Sequence, residues 1–442
     1  MRPDLSARLR DIVRRGSAAP APPAPTRELT YVADVDAPDR STGMVAEQLG
    51  GTVLDGGSCV VVDRHYEPHR SHGRRSIESC LPAIDAPIGL FDPRVTAHPD
   101  WCRRVVFFDI ETTGLSGGAG TLAFLAGCGW FDDTGRFTVR QFFLSGPSGE
   151  RPMLEALARV FDDASLLVTF NGRTFDVPFM ETRWAFHRTE PPTGDLPHFD
   201  MLPPARRLWG RRDSARPAGE GCSLSALERR VLGFHRIDDV PGFEIPARYF
   251  QFLRSGDAAR VDGILEHNRH DLVSLAAVMS HALWLAREGP VACREPEEQL
   301  ALGQVYERSG DLERAAGAYE MAAAAGDATV AQPAWARLAV MHRRAGRHDE
   351  AAASWMRVLE RMPRGRRMPS PVEQHAIEAL AIHHEHRARD LDRARGYAEA
   401  LDAAVTGKRR LETERRLRRL ARKQEGSERE RPAGLWHDPV ES

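Results

Sequence analysis

Three short segments carry acids and a histidine at spacings suited to divalent-metal chemistry. They are VVFFDIETTGL at 105–115, with Asp109 and Glu111; LLVTFNGRTFDVPFM at 166–180, with Asn171 and Asp176; and EHNRHDLVSLAAV at 266–278, with His267 and Asp271. Carboxylate oxygens suit hard cations such as Mg²⁺ or Mn²⁺. A histidine beside a metal-ligating aspartate can take a proton from an attacking water. The chemistry these residues support together is metal-assisted hydrolysis.

Each segment implies an element that would position its acids. VVFF is a run of β-branched and aromatic residues, which reads as a strand buried on both faces. Asp109 and Glu111 lie two apart, so on a strand they point the same way. Two like charges there repel, and a divalent cation relieves the cost. LLVTF reads as a second buried strand, closed by the Asn171-Gly172 turn signal. Apolar spacing from Phe175 to Phe186 predicts a helix that tolerates Pro178 in its first turn and places Asp176 near its N-terminus. Residues 258–287 read as a long helix, with His267 and Asp271 one turn apart on one face. His270 points about 100° away from Asp271.

Each piece alone has a plainer explanation. The first would be a strand end whose acids face water. The second would be an ordinary N-cap aspartate. The third would be a surface pair worth a few tenths of a kcal/mol. All three in this order favour a shared metal site.

The set Asp109, Glu111, Asp176 and Asp271 resembles the four acids of the DEDD exonucleases, which have a ribonuclease H-like fold. HFDMLPPARRLW, with Asp200, resembles the strand-then-helix segment before that family's final helix. CSLSALERRVLGF at 222–234 resembles its SL-x-x-L helix. FFDIETTGL, GGAGTLAFLAGCGWF, CSLSALERRVLG and EHNRHD together are most similar to the YprB-like branch of bacterial ribonuclease H-like proteins. The resemblance covers roughly 100–290.

The resemblance implies a 3′-to-5′ exonuclease that hydrolyses phosphodiesters with two Mg²⁺ or Mn²⁺ ions. Asp109 would bridge both ions. Glu111 and Asp271 would complete one, and Asp176 would hold the other through its water shell. His267 would take the proton. Thr112 and Leu115, with the backbone after Glu111, would seat the terminal nucleotide. Asn171 and Asp200 would orient the site without binding metal. This chain departs from both common proton acceptors. The position five before the last aspartate is Glu266 rather than histidine, and the position four before it is His267 rather than tyrosine. Single-stranded 3′ ends are the expected substrate, because a narrow site admits one unstacked terminus. DNA and RNA stay undistinguished.

With 442 residues the chain has room for several domains. Its formal net charge of −2 gives no global nucleic-acid footprint, so basic character must be local. Of 61 basic residues only Lys408 and Lys423 are lysines, a bias that codon composition explains better than phosphate binding does, because the arginines are evenly spread. Gly117, Gly118 and Gly120 read as a tight hairpin rather than a phosphate cradle. Six cysteines without C-x-x-C spacing give no zinc or iron–sulfur signal. His65, His69 and His72 lack a cysteine partner and read as structural. No apolar run is long enough to span a membrane, and the opening stretch lacks a secretory h-region, so a cytoplasmic location is expected.

The expected organisation is α/β plus all-α. An N-terminal helix and Pro/Ala linker occupy 1–29, and a small β-rich strap or subdomain 30–99. A ribonuclease H-like mixed sheet flanked by helices fills 100–290. Tetratricopeptide-like (TPR) repeats follow over 291–405, then a basic helix and disordered tail over 406–442. The repeats rest on a period: Leu302, Gly303, Tyr306, Gly310, Ala315 and Tyr319 return 36 positions later as Leu338, Ala339, His342, Gly346, Ala351 and Trp355. A weaker copy carries Leu391, Ala394 and Ala398. Such an array would bind a protein partner or present nucleic acid to the nuclease; the alternative is a bundle that only caps it. The run 408–423 would grip a phosphate backbone or simply end the array in solvent. Trp436 is a candidate docking residue.

Overall fold

The computed structural model describes residues 40–114, 120–210, 221–362 and 368–429. The expected N-terminal helix and linker, Leu115, Gly117, Gly118, Trp436 and the tail from 430 lie outside the described residues.

Helix α1 (Arg40–Leu49) leads into β1 (Thr52–Val53) and the long strand β2 (Cys59–Tyr66). A short ribbon follows, β3 (Ser71–His72) with β4 (Arg75–Ser76). Strands β5 (Val105–Thr112), β6 (Ala123–Phe131) and β7 (Phe137–Leu144) form an antiparallel meander. Then come α2 (Glu150–Asp162), β8 (Leu166–Thr169), α3 (Asp176–Phe186), β9 (His198–Asp200) and α4 (Leu202–Trp209). The short α5 (Leu224–Leu227) continues into a π turn over Glu228–Leu232. Helix α6 (Ile245–Ser255) and the 30-residue α7 (Ala259–Glu288) complete the α/β part.

The main sheet has seven strands in the order β1-β2-β7-β6-β5-β8-β9. β8 runs parallel to both β5 and β9, and every other pairing is antiparallel. β2 pairs with β7 from Cys59↔Leu144 to Tyr66↔Phe137, so the main strand of the 30–99 stretch is a member of the central sheet.

The sheet buries a core on each face, which is why β5 is apolar at every position from Val105 to Phe108. Val105 and Phe107 join the core that contains Leu272 to Ala286 of α7. Val106, Phe108 and Ile110 join the opposite core, with Leu154, Phe161, Trp184 and Tyr249. On the first face the apolar row stops at Asp109 and Glu111, whose side chains reach partly open space. The acids therefore stand where the sheet's packing ends.

Beyond 290 the chain forms α8 (Pro296–Ser309), α9 (Leu312–Ala323), α10 (Ala328–Arg344), α11 (His348–Glu360), α12 (Pro371–His383), α13 (Leu391–Asp402) and α14 (Gly407–Arg429). Gly310 and Gly346, 36 residues apart, both take left-handed φ values (88° and 78°) between paired helices. A side chain would strain either turn. The core that holds Leu275 and Met279 continues through Leu302, Tyr306 and Tyr319 to Leu338. Tyr306 donates to the Ala286 carbonyl (2.9 Å), and the Trp209 indole donates to Glu298 (3.0 Å). The first helical hairpin is thus packed onto the α/β part through apolar contact and buried hydrogen bonds.

Candidate active site

Three elements bring the acids together. β5 supplies Asp109 and Glu111, the N-terminus of α3 supplies Asp176, and the middle of α7 supplies His267 and Asp271. One ligand atom from each of Glu111, His267 and Asp271 lies within 4.8 Å of the others. Nε2 of His267 is 3.5 Å from Asp271 Oδ2 and 3.9 Å from Glu111 Oε1. Asp109 and Asp176 join through electrostatics, since both feel the charge of Asp271.

The cluster is costly without a cation. Burial, then repulsion from Asp271, Asp176 and Glu111, holds the Asp109 carboxyl well above the usual range, against an opposing hydrogen bond from Asn268. Burial and the charges of Asp271 and Asp176 push Glu111 up to about 8. Burial raises Asp176 to about 7, although backbone hydrogen bonds at its own amide and at Ile110 oppose the rise. A divalent cation relieves both causes at once, by replacing lost hydration and by cancelling like charge. The donor set is mainly carboxylate oxygen, which fits Mg²⁺ or Mn²⁺ and does not choose between them.

Asp109 is held by a buried polar chain. The Gln141 amide donates to Asn268 Oδ1 (2.8 Å) and to the Leu265 carbonyl (2.8 Å). Asn268 in turn donates to Asp109 Oδ2 (2.8 Å). Gln141 and Asn268 are both fully buried. Gly127 of β6 makes room for them: a Cβ there would lie 2.2 Å from Asn268 Oδ1. Asn268 interrupts the apolar row Val261, Ile264, Leu265, Leu272, Leu275 of α7. A polar residue at an apolar-register position was the available sequence signal for it.

His267 has a partner on its other side. Nδ1 lies 2.7 Å from Asp239 Oδ1, so we assign the proton to Nδ1 and the lone pair to Nε2, which faces the acids. Arg236 lies beneath. Its Nε and Nη2 form a bidentate pair with Glu228 (2.8 and 2.6 Å), Nη2 also bonds Asp271 Oδ1, and Nη1 reaches Asp239 (3.3 Å). Arg236, Glu228 and Asp239 were not singled out from the sequence. They come from a turn and a loop whose reach into the site is set by tertiary packing.

The remaining candidates fall outside the cluster. Thr112 is buried and its hydroxyl donates to the Gly114 carbonyl (2.9 Å). Asn171 adopts a left-handed φ of 71°, its amide donates to Asp200 Oδ1 (2.8 Å), and its side chain accepts from Thr174 (2.9 Å). Asp200 accepts from the amides of Asn171, Arg173 and Leu202, which makes it the anchor of the turn after β8. His270 packs against the Phe234 ring, near Glu266. His65 bonds Thr138 and His72 bonds Ser274, so these two histidines serve the fold.

Comparison with known proteins agrees with this layout. Residues 106–283 match the family model described as RNase_H superfamily. That span runs from β5 through most of α7 and holds every acid of the cluster. The protein YprB of Bacillus subtilis (strain 168) is 31% identical over 379 residues, covering 83% of this chain and 86% of YprB. The chain belongs to the YprB family. The likeness to YprB extends beyond the ribonuclease H-like domain, because 379 aligned residues exceed the 106–283 span. Among solved structures, a family B DNA polymerase from Pyrobaculum calidifontis matches 47% of the chain at 13% identity, with a TM-score of 0.33. The match spans 29% of that polymerase.

Proposed function

We propose that this YprB-family chain is a metal-dependent nuclease that removes nucleotides from single-stranded 3′ ends. The observation that carries the reading is the convergence of Asp109, Glu111, Asp176 and Asp271 at the C-terminal end of the interior strand β5 of a ribonuclease H-like sheet, with three of these carboxyls pushed above their ordinary range by burial and mutual repulsion. Asp109, Glu111 and Asp271 would hold one divalent ion, and Asp109 with Asp176 a second. Ions bound there supply Lewis-acid stabilisation of charge growing on the phosphate. His267, with Nδ1–H held by Asp239, accepts the proton of the attacking water at Nε2. The sheet and the Gln141–Asn268 chain fix Asp109 so that little reorganisation is needed. Thr112, Leu115 and Asn171 would border the terminal nucleotide.

The helical hairpins after 290 are read as TPR-like, a surface for a protein partner or for the incoming strand. A cytoplasmic location goes with this reading. No described helix is long and apolar enough to cross a membrane.

End-labelled single-stranded DNA and RNA test the proposal. Stepwise shortening from the 3′ end with Mn²⁺, lost in Asp109→Ala, is the expected result. Internal cuts would make the chain an endonuclease. No cutting, together with capture of a defined protein by the helical repeats of the full chain, would make it a scaffold.

A further inference from the structure

Arg236 is the unusual residue of the site. It lies in the loop before α6, yet its side chain is only 6% exposed and it touches three carboxylates. Glu228, 2% exposed, holds it in a bidentate grip and cannot turn to solvent. A guanidinium stays protonated in proteins, and its bonds to Glu228 and Asp271 favour that charged form. A fixed cation is therefore bonded directly to Asp271, the residue that the proposed function makes a metal ligand.

We propose that Arg236 is a resident counter-cation that lets the acid cluster fold without metal and weakens the site's hold on divalent ions. The inference rests on the metal-site reading above. A guanidinium at Asp271 and a divalent ion on the same carboxylate repel each other, so each destabilises the other. Glu228 and Asp239 retain the guanidinium when Asp271 turns to metal. Arg236 is then a positioning residue with a definite electrostatic sign. A scaffold residue that merely holds the Asp271 rotamer would have the opposite effect, because its loss would weaken metal binding.

The test is Mn²⁺ affinity by electron paramagnetic resonance, together with thermal unfolding in EDTA. The double variant Arg236→Gln with Glu228→Gln avoids leaving Glu228 buried and unpaired, and it is compared with Glu228→Gln alone so that the loss of the Glu228 charge cancels. Mn²⁺ binding tighter by about tenfold, with a lower melting temperature in EDTA and a larger Mn²⁺-induced rise, is expected. Equal or weaker Mn²⁺ binding by the variant overturns the counter-cation role alone. No specific Mn²⁺ uptake by wild type, with Asp271→Asn indistinguishable from it, overturns the metal-site reading and this inference with it.

A second inference comes from α14, far along the chain from the acids. Its basic residues divide by face. Arg409, Arg410, Arg416, Arg419 and Lys423 pair with acids, three of them with the buried Glu385. Lys408, Arg415, Arg418 and Arg422 are exposed and make no ion pair with a described residue. At 100° per residue these four fall within an arc of about 80°, on the side opposite buried Thr413 and Leu420, and span about 21 Å.

We infer that this stripe binds the phosphate backbone of a nucleic-acid strand by counterion release. Four unpaired cations in a row, on a chain of net charge −2, give the local basic track that the whole protein lacks. Binding of a labelled single-stranded 30-mer by the full chain in EDTA is measured against salt. Changing Lys408, Arg415, Arg418 and Arg422 to Gln should flatten the log–log salt slope by about 2.8. Cleavage of a 5-mer should stay unchanged. An unaltered slope overturns the inference, and so does a loss of affinity confined to anionic vesicles or to acidic peptides.

Discussion

Asp239 Oδ1 lies 2.7 Å from Nδ1 of His267, on the side of the ring away from the acid cluster. The carboxylate can only accept, so this shorter contact favours a proton on Nδ1 over the Arg236 guanidinium 3.2 Å from the same nitrogen, and leaves Nε2 free to accept one. Asp239→Asn keeps the shape but can donate to Nδ1, which favours the wrong tautomer. The expected result is a fall in kcat of about 100-fold with KM little changed. Activity within a factor of three of wild type would remove His267 from the proton path.

The raised carboxyls make the metal-free protein sensitive to pH. Glu111 (about 8) and Asp176 (about 7) sit above their ordinary values of 4.5 and 3.8. Between these limits the folded state holds protons that the unfolded chain releases, so stability falls as pH rises. In EDTA the melting temperature should be higher at pH 7 than at pH 8.5, a window above the range in which His72, His198 and His281, held below their ordinary value by burial, give the opposite slope. Saturating Mn²⁺ should reduce or reverse that difference. A melting temperature that climbs with pH in EDTA contradicts the assignment.

Asp109→Asn replaces a carboxyl that burial and its acidic neighbours disfavour, yet retains an oxygen to accept from Asn268. The metal-free variant should be more stable than wild type, read from denaturant unfolding, and lose its catalysis. Greater stability with lost activity separates a functional acid from a structural one. A destabilised variant would mean that Asp109 serves packing.

Gly127→Ala adds a single methyl group and no chemistry. Its Cβ would meet Asn268 Oδ1 at 2.2 Å, so the polar chain to Asp109 must shift. We expect a loss of about 1–3 kcal/mol and a drop in kcat well beyond what the stability loss explains. Wild-type kcat in the folded variant would show that the Gln141–Asn268 chain does not position Asp109.

Local patterns made part of this site legible. The same-face placement of Asp109 and Glu111 follows from strand periodicity, and that of His267 and Asp271 from helix pitch. The β5, β8 and α7 segments announced themselves by apolar runs. Arg236 and Asp239 could not be read in this way, because the loop after Phe234 has no period and its partners lie up to 35 residues away. β2 was ambiguous for a related reason. Its valines predict a strand, but only the pairing with β7 shows which sheet it joins.

The most direct test of the central claim is anomalous X-ray scattering from a crystal soaked in Mn²⁺. Two manganese peaks are expected among Asp109, Glu111, Asp176 and Asp271, with Asp109 touching both. No peak within bonding distance of any of these four carboxylates would contradict it.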